Sequence, residues 1–284
     1  MPTLIAAKPV VEKLRLTTEE RSRAFRKKYG RAPKLAVVLV GENPASVIYT
    51  RKKGETAIAM GMEHVSVTFP DTATPDEVKA AIDKLNTDPH VDGILIQRPL
   101  PKSFKEEEVL YWVAPAKDVD AFHPENTGRL SLGLPCFKPC TPAGVMELLK
   151  FYGVNPAGKL ACVIGRSSIV GKPMAALLLQ ADATVLHCHS KTPNLKQIAN
   201  QADIVVVAAG KPGLVDSSYI KTGAIVIDVG IHRTDAGKVV GDVIFDDVAA
   251  KASAITPVPG GVGPMTIAVL LENTIWAAEQ RESK

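Results

Sequence analysis

Tyr49 and Lys53 stand four residues apart in a stretch with helical character, so they share a helix face. Ser46 lies one turn before Tyr49 on nearly the same side. A lysine beside an aromatic ring, with Arg51 and Lys52 as cationic neighbours, can lose its proton near neutral pH and act as acid or base. The same run also reads as a solvated basic face, with the Tyr49 ring packed on an aliphatic stem. Gln97 closes an apolar strand, where its amide could bond a lysine amine or simply end the strand. Lys117-Asp118-Val119-Asp120 sets carboxylates in a loop. A carboxylate there could bind a ring with adjacent N–H donors, such as a pterin or guanine edge, or it could stabilise a turn.

A second constellation runs from Val163 to Pro173. An apolar strand, Leu160 to Ile164, breaks at Gly165, and a helical pattern starts near Val170 with Met174, Leu177 and Leu178 on one face. Such a turn aims backbone N–H groups and the positive end of a helix at one point, which suits a phosphate. The spacing is Gly-x5-Gly, not Gly-x-Gly-x-x-Gly, so an ordinary strand-to-helix turn with a packing glycine stays open. The next strand ends Leu186-His187-Cys188-His189-Ser190-Lys191, without the carboxylate that holds an NAD ribose. Arg166, Ser190 and Lys191 offer donors to a 2′-phosphate instead, which favours NADP over NAD; solvated surface cations are the other reading. Asp228-Val229-Gly230-Ile231 either meets a nicotinamide carboxamide or turns toward a hairpin at Gly237.

The elements that must position these residues alternate. Helical spacing covers Ala7 to Tyr29, and Lys34 to Val40 is a buried-strand run. Helix Ala45–Met60, strand Glu63–Phe69, a capped helix start at Thr74-Pro75-Asp76-Glu77 and strand Gly93–Gln97 follow. Ser103 reads as the cap of a further helix. From Ala114 to Pro142 the pattern dissolves into Pro, Gly, Asp and Asn, too long for an idle connector. A helix then runs from Thr141 to Tyr152. The second half repeats the alternation through strands Leu160–Ile164, Thr184–Cys188, Ile204–Ala208 and Ala224–Asp228, with helices Val170–Gln180 and Pro193–Asn200. A rigid Pro257–Pro264 loop precedes a last helix, Met265 to about Arg281. The fold class is α/β: two domains with parallel sheets and an active-site cleft between them. The expected domains are 1–138 plus 264–284, and 139–263.

Composition bounds the partners. The chain has 284 residues, 46% of them hydrophobic and 23% charged, with a formal net charge of +4 and no long Lys/Arg block. Nucleic acid is therefore not an expected partner, and an anionic small molecule is. No run reaches the length of a membrane span, and residues 1–13 do not read as a secretory leader. Four cysteines, Cys136, Cys140, Cys162 and Cys188, form no disulfide pattern, so a reducing cytoplasm is the expected setting. Cys136, Cys140, His187 and His189 lack zinc-site spacing, and no metal is expected.

Taken together the motifs resemble the bifunctional methylenetetrahydrofolate dehydrogenase/cyclohydrolase (FolD-type) family over essentially the whole chain. The pieces that carry the resemblance are Tyr49-x-x-x-Lys53, Asp92 to Gln97 followed by Pro99-Leu100-Pro101, and Lys117 to Asp120. Pro139 to Pro142, Gly165-Arg166-Ser167 with Ile169 to Pro173, Cys188-His189-Ser190 and Pro257 to Thr266 complete the set. The resemblance implies oxidation of 5,10-methylenetetrahydrofolate with NADP to the 5,10-methenyl compound, then hydrolysis to 10-formyltetrahydrofolate. It implies a Rossmann-like second domain and a homodimer. It makes Lys53 the acid/base group, Tyr49 a folate-stacking ring, Gln97 the partner that tunes Lys53, and Asp120 the pterin anchor. Gly165, Arg166, Ser167, Ser190 and Ile231 would hold NADP, and Pro259, Gly260 and Gly261 would wall the folate pocket. The chain departs from the family in three places: Ala121 where glycine is usual, Arg98 for an apolar residue, and Ile244 for an acidic one. If the backbone at 121 needs a positive φ, Ala121 is strained.

Overall fold

The computed structural model describes residues 1–283. The first half holds β1 (Thr3–Leu4), α1 (Lys8–Tyr29), β2 (Lys34–Val40), α2 (Pro44–Ala59), β3 (Glu63–Phe69) and α3 (Pro75–Thr87). Then come β4 (Gly93–Ile96), α4 (Glu106–Val109), α5 (Pro124–Ser131) and α6 (Cys140–Phe151). The second half holds β5 (Leu160–Ile164), α7 (Gly171–Gln180), β6 (Thr184–Cys188), α8 (Leu195–Ala199), β7 (Ile204–Val207) and β8 (Ile225–Asp228). It ends with β9 (His232–Arg233), β10 (Val239–Val240), α9 (Phe245–Ala249), β11 (Ala254–Ile255) and α10 (Val262–Glu282).

Two compact units result: Met1–Glu12 with Pro139–Thr266, and Lys13–Lys138 with the chain from Ile267 on. Residues 1–12 thus cluster with the later unit, whereas the sequence reading placed them in the earlier domain. The reason is pairing. β1 lies parallel to β11, with Thr3 opposite Ala254 and Leu4 opposite Ile255.

The 139–266 unit is built on a six-stranded sheet in the order β1-β11-β8-β7-β5-β6, parallel at every pairing. Strands buried on both faces read as continuous apolar runs. Cys162, Ile164, Val205, Val207 and Val226 are such residues, in one core with Val215, Tyr219 and Ile220. From β5 the chain goes to β6 on one side and then to β7 on the other. That reversal opens a crevice at the carboxyl ends of β5 and β7, the usual ligand site of an open parallel sheet.

The other unit carries a three-stranded parallel sheet, β3-β2-β4. Leu35 to Val40 are all buried in the central strand. The Thr74 capping box is present, with Glu77 closing it. Ser103 is not a cap: α4 starts at Glu106, with Lys105 at its N-cap and no side-chain cap bond. The stretch from Ala114 to Pro142 contains α5, which the sequence reading did not find. Asp92, fully buried, accepts Arg31 at 2.8 and 2.9 Å, the Lys34 N–H at 2.9 Å and Arg281 at 3.1 Å. A buried carboxylate of this kind is tolerable only because cations and N–H groups surround it.

Candidate active site

α2 is set by the Asn43 side chain, which accepts the Ala45 and Ser46 N–H groups, and by Pro44 in its first turn. Its inward face is Ser46, Thr50, Lys53, Gly54 and Ala57. Gly54 lets α2 seat close to β3, since a Cβ there would sit 2.5 Å from the His64 ring and force it to move. This close seating carries Lys53 inward, to 8% exposure. Its Nζ donates to Gln97 Oε1 at 2.8 Å, and Gln97 Nε2 donates to the Arg98 carbonyl at 2.6 Å. Gln97 is held in turn by its own N–H, which extends the β2–β4 ladder to Val38 at 2.8 Å. Of the two readings of the 51–53 run, the buried amine is the one found. Arg51 and Lys52 face solvent. Tyr49, one turn from Lys53, presents an exposed ring (43%).

The Lys117–Asp120 loop is joined to the edge of β4 by a parallel bridge between Ile94 and Asp118. The first two residues are structural. Lys117 Nζ donates to the Leu85 and Asp88 carbonyls at 2.8 and 2.6 Å, closing the end of α3. Burial and the charge of Arg281 push its pKa down to about 8. Asp118 accepts the N–H groups of Phe122 and His123 at 3.2 and 2.8 Å and Asn126 Nδ2 at 2.9 Å. Burial raises its pKa above the ordinary carboxylate value despite these donors. The loop so folded directs Asp120 to a pocket shared with Ile94, Ile96, Arg98, Val109 and Phe122. Arg98 reaches across it, paired with Glu106 and 5.5 Å over the Phe122 ring.

Ala121 sits in this loop at φ +62°, buried. The left-handed conformation that glycine would take without strain is therefore present, with a methyl group in it. We expect Ala121→Gly to change stability by less than about 1 kcal/mol, since relief of strain offsets a lost buried methyl. Ala121→Val should cost about 2 kcal/mol or more, because a β-branched side chain fits neither the backbone nor the space. Thermal melts of both variants check this.

In the other unit, Gly165 ends β5 at φ +137°, and a Cβ on it would lie 2.1 Å from the Ala208 carbonyl at the end of β7. A Cβ on Gly171 would lie 2.1 Å from the Gly165 carbonyl. The two glycines thus let the turn fold tightly back on the first turn of α7. Ser167 closes the turn into that helix, whose N-cap is Val170: its Oγ accepts the Val170 and Gly171 N–H groups at 3.2 and 3.3 Å. Arg166 is exposed beside it. Gly165 is tied to β6 through the Cys188 carbonyl at 2.9 Å and through His187 Nε2 at 2.8 Å. The exposed Ser190 and Lys191 follow directly, with no carboxylate among residues 187–191. A tight glycine turn, a helix start and this cationic rim fit a dinucleotide with an extra phosphate.

Ile231 follows β8, is half exposed, and lies against Gly263, where a Cβ would come within 3.1 Å of its Cδ1. The neighbouring Pro259–Gly261 turn is pinned by the Gly260 carbonyl, which accepts the Ala7 N–H at 2.8 Å. Gly261 is packed so closely that a Cβ would meet the Pro257 carbonyl at 2.5 Å. Of the two readings of residues 228–231, the turn toward the β9–β10 hairpin is present, and Ile231 is left half exposed. Among the described residues, no cluster of His, Cys, Asp or Glu could hold a metal ion. None of their helices is long and apolar enough to cross a membrane.

Residues 5–120 match the catalytic domain of the tetrahydrofolate dehydrogenase/cyclohydrolase family, and residues 139–282 match its NAD(P)-binding domain. The chain belongs to the tetrahydrofolate dehydrogenase/cyclohydrolase family. Within it, the Bifunctional protein FolD of Ligilactobacillus salivarius (strain UCC118) is 49% identical over 98% of this chain and 97% of its own. The crystal structure of the bifunctional enzyme FolD from Campylobacter jejuni superposes with a TM-score of 0.96 at 47% identity, covering 99% and 100% of the two chains. The Trypanosoma brucei dehydrogenase-cyclohydrolase, complexed with NADP cofactor and inhibitor, gives 0.95 at 37% identity over 100% and 99%. Family membership accounts for why two unrelated-looking motif sets, one around Lys53 and one around Gly165, occur in one chain.

Proposed function

We infer that the protein is a bifunctional one-carbon folate enzyme. It oxidises 5,10-methylenetetrahydrofolate to 5,10-methenyltetrahydrofolate with NADP and hydrolyses that product to 10-formyltetrahydrofolate. The observation that carries this reading is the buried Lys53 amine held 2.8 Å from Gln97 Oε1 in a chain of this family. NADP supplies a hydride acceptor when bound. Oxidation moves a hydride off the one-carbon unit and leaves a cationic amidine, so a neutral amine is a better neighbour than a second cation. Hydrolysis adds water to that carbon and breaks its bond to N5. Lys53 takes one water proton and returns one to the departing nitrogen, and the remaining hydroxyl proton is released to solvent as the formyl C=O forms, which discharges the cation. Gln97 fixes the amine's position, Asp120 accepts the pterin N–H groups, and Tyr49 stacks on the folate. Pro259, Gly260 and Gly261 contribute to the folate wall.

On the cofactor side, the Gly165–Gly171 turn and the start of α7 receive the pyrophosphate. Arg166, Ser167 and Ser190 receive the 2′-phosphate end, and Ile231 meets the nicotinamide. Absorbance followed during incubation with methylenetetrahydrofolate and NADP tests both steps, because the methenyl compound forms and then decays. No methenyl signal and no NADPH would overturn the reading. Arg166→Ala should raise KM for NADP by about tenfold and KM for NAD by less than about twofold, the loss of one charge-assisted contact. Equal losses for both cofactors would remove the phosphate contact. The same reading carries a homodimer in a cytoplasmic setting, supported by four free cysteines; light scattering at twice 30.3 kDa checks the dimer.

A further inference from the structure

Two buried carboxylates in the 139–266 unit take no part in the reactions above. Asp242 is fully buried and Asp228 is 3% exposed. Asp242 Oδ2 accepts the N–H groups of Ala209 and Gly210 at 2.7 and 2.9 Å, just past β7. Its Oδ1 pairs with His232 Nε2 at 2.7 Å. Asp228 Oδ1 accepts the Gly230 and Asp242 N–H groups at 2.9 and 3.0 Å, and Oδ2 accepts Val243 N–H at 3.0 Å. The Asp228 N–H donates to Thr256 Oγ1 at 2.7 Å, just before the Pro257–Gly261 loop.

Two glycines make room for this network. A Cβ on Gly241 would lie 1.9 Å from Asp228 Oδ2, and one on Gly230 would lie 2.5 Å from the Asp242 nitrogen. Burying two carboxylates is a poor way to gain stability, and burial still pushes Asp228 up to about 6. What the network does is hold the segments after β7 and β8 in one conformation. Those segments lie at the carboxyl ends of the sheet. Ala208, the residue before the pair that Asp242 holds, is also the one whose carbonyl abuts Gly165.

We propose that Asp242, oriented by His232, is a positioning residue for NADP: it sets residues 208–210 and, through Ala208, the glycine turn, while Asp228, tied to the Asp242 N–H, holds Gly230 beside them. The proposal rests on the reading of this unit as the NADP site. Asp242 acts through backbone N–H groups and does not itself contact the cofactor.

The test compares full-length wild type, His232→Phe and His232→Gln. Phe keeps a ring but no donor, and Gln keeps an N–H donor. His232→Phe should raise the NADP Kd and KM about tenfold, the loss of one charge-assisted hydrogen bond, with KM for methylenetetrahydrofolate changed less than about twofold. Cofactor-free hydrolysis of the methenyl compound should also change less than about twofold, and His232→Gln should recover most of the NADP affinity. An unchanged NADP Kd in His232→Phe overturns the proposal. So does a parallel fall of hydrolysis and oxidation with melting temperature, the mark of a purely structural role. If His232→Phe fails to fold, His232→Asn, whose amide falls short of Asp242, is judged by the same criteria. A wild type that binds NADP without turning over folate would overturn the activity above, and the Kd comparison would still judge Asp242.

Discussion

Lys53→Met should leave a folded, NADP-binding protein that hydrolyses methenyltetrahydrofolate at least about 10³-fold more slowly. Methionine matches the length and apolar body of the lysine stem, and at 8% exposure the side chain is held mostly by packing. What disappears is the amine. General acid–base groups contribute about 10²–10⁴ in rate, and this amine is assigned both proton transfers of the hydrolysis. Gln97 Oε1 loses its donor at 2.8 Å, a cost of about 1–3 kcal/mol if no water replaces it. A modest drop in melting temperature should therefore accompany the kinetic loss. The measurement is the decay of methenyl absorbance, alongside NADPH titration by fluorescence. Full hydrolysis in this variant would remove Lys53 from the chemistry.

The second large effect belongs to Gly165. Alanine there faces two separate obstacles. The backbone is at φ +137°, outside the range an L-residue adopts readily, and the new methyl would lie 2.1 Å from the Ala208 carbonyl. No side-chain rotation relieves a clash with backbone. β5 and β7 must separate at their carboxyl ends, or the turn must move away from α7. We expect Gly165→Ala to cost about 2–5 kcal/mol in stability and to lower NADP affinity by at least about 100-fold. Gly158→Ala is the matched control. It too has a left-handed φ, +71°, but open space around the would-be Cβ. It should cost only about 1 kcal/mol and leave NADP binding intact. Similar affinity losses in both would mean that backbone conformation, and not close approach, governs the turn.

How much of this was legible beforehand follows from what each segment buries. Strands Lys34–Val40 and Glu63–Phe69 stand where they were expected, because a doubly buried run and a one-sided alternation both leave clear patterns. α5 left none. Its sequence is Pro-Glu-Asn-Thr-Gly-Arg-Leu-Ser, only Asn126 and Leu130 are buried, and its cap is the unusual His123. β1 is two residues long, too short for any period, so nothing in the sequence shows that residues 1–12 cluster with the later unit. At the site, the Lys53–Gln97 contact was anticipated, because both residues sit at element positions that aim them. The division of labour in Lys117-Asp118-Val119-Asp120 was not. Nothing local says that Lys117 braces α3 and Asp118 braces α5, or that Asp118 and Asp120 both line the pocket. The Asp228–Asp242–His232 network was invisible for the same reason. Its members are joined by hydrogen bonds across 10 to 33 positions, and only the glycines at 230 and 241 hinted at a close approach.

The pairing of β1 with β11 constrains how the protein is made. Leu4 finds its partner in Ile255, so an edge of the large sheet waits for about 250 further residues to leave the ribosome. At bacterial-like elongation rates that delay is on the order of 10–50 s. Through that interval the amino-terminal segment has no ladder to join. Closure of this edge of the sheet therefore depends on the synthesis of β11, not on that of β1.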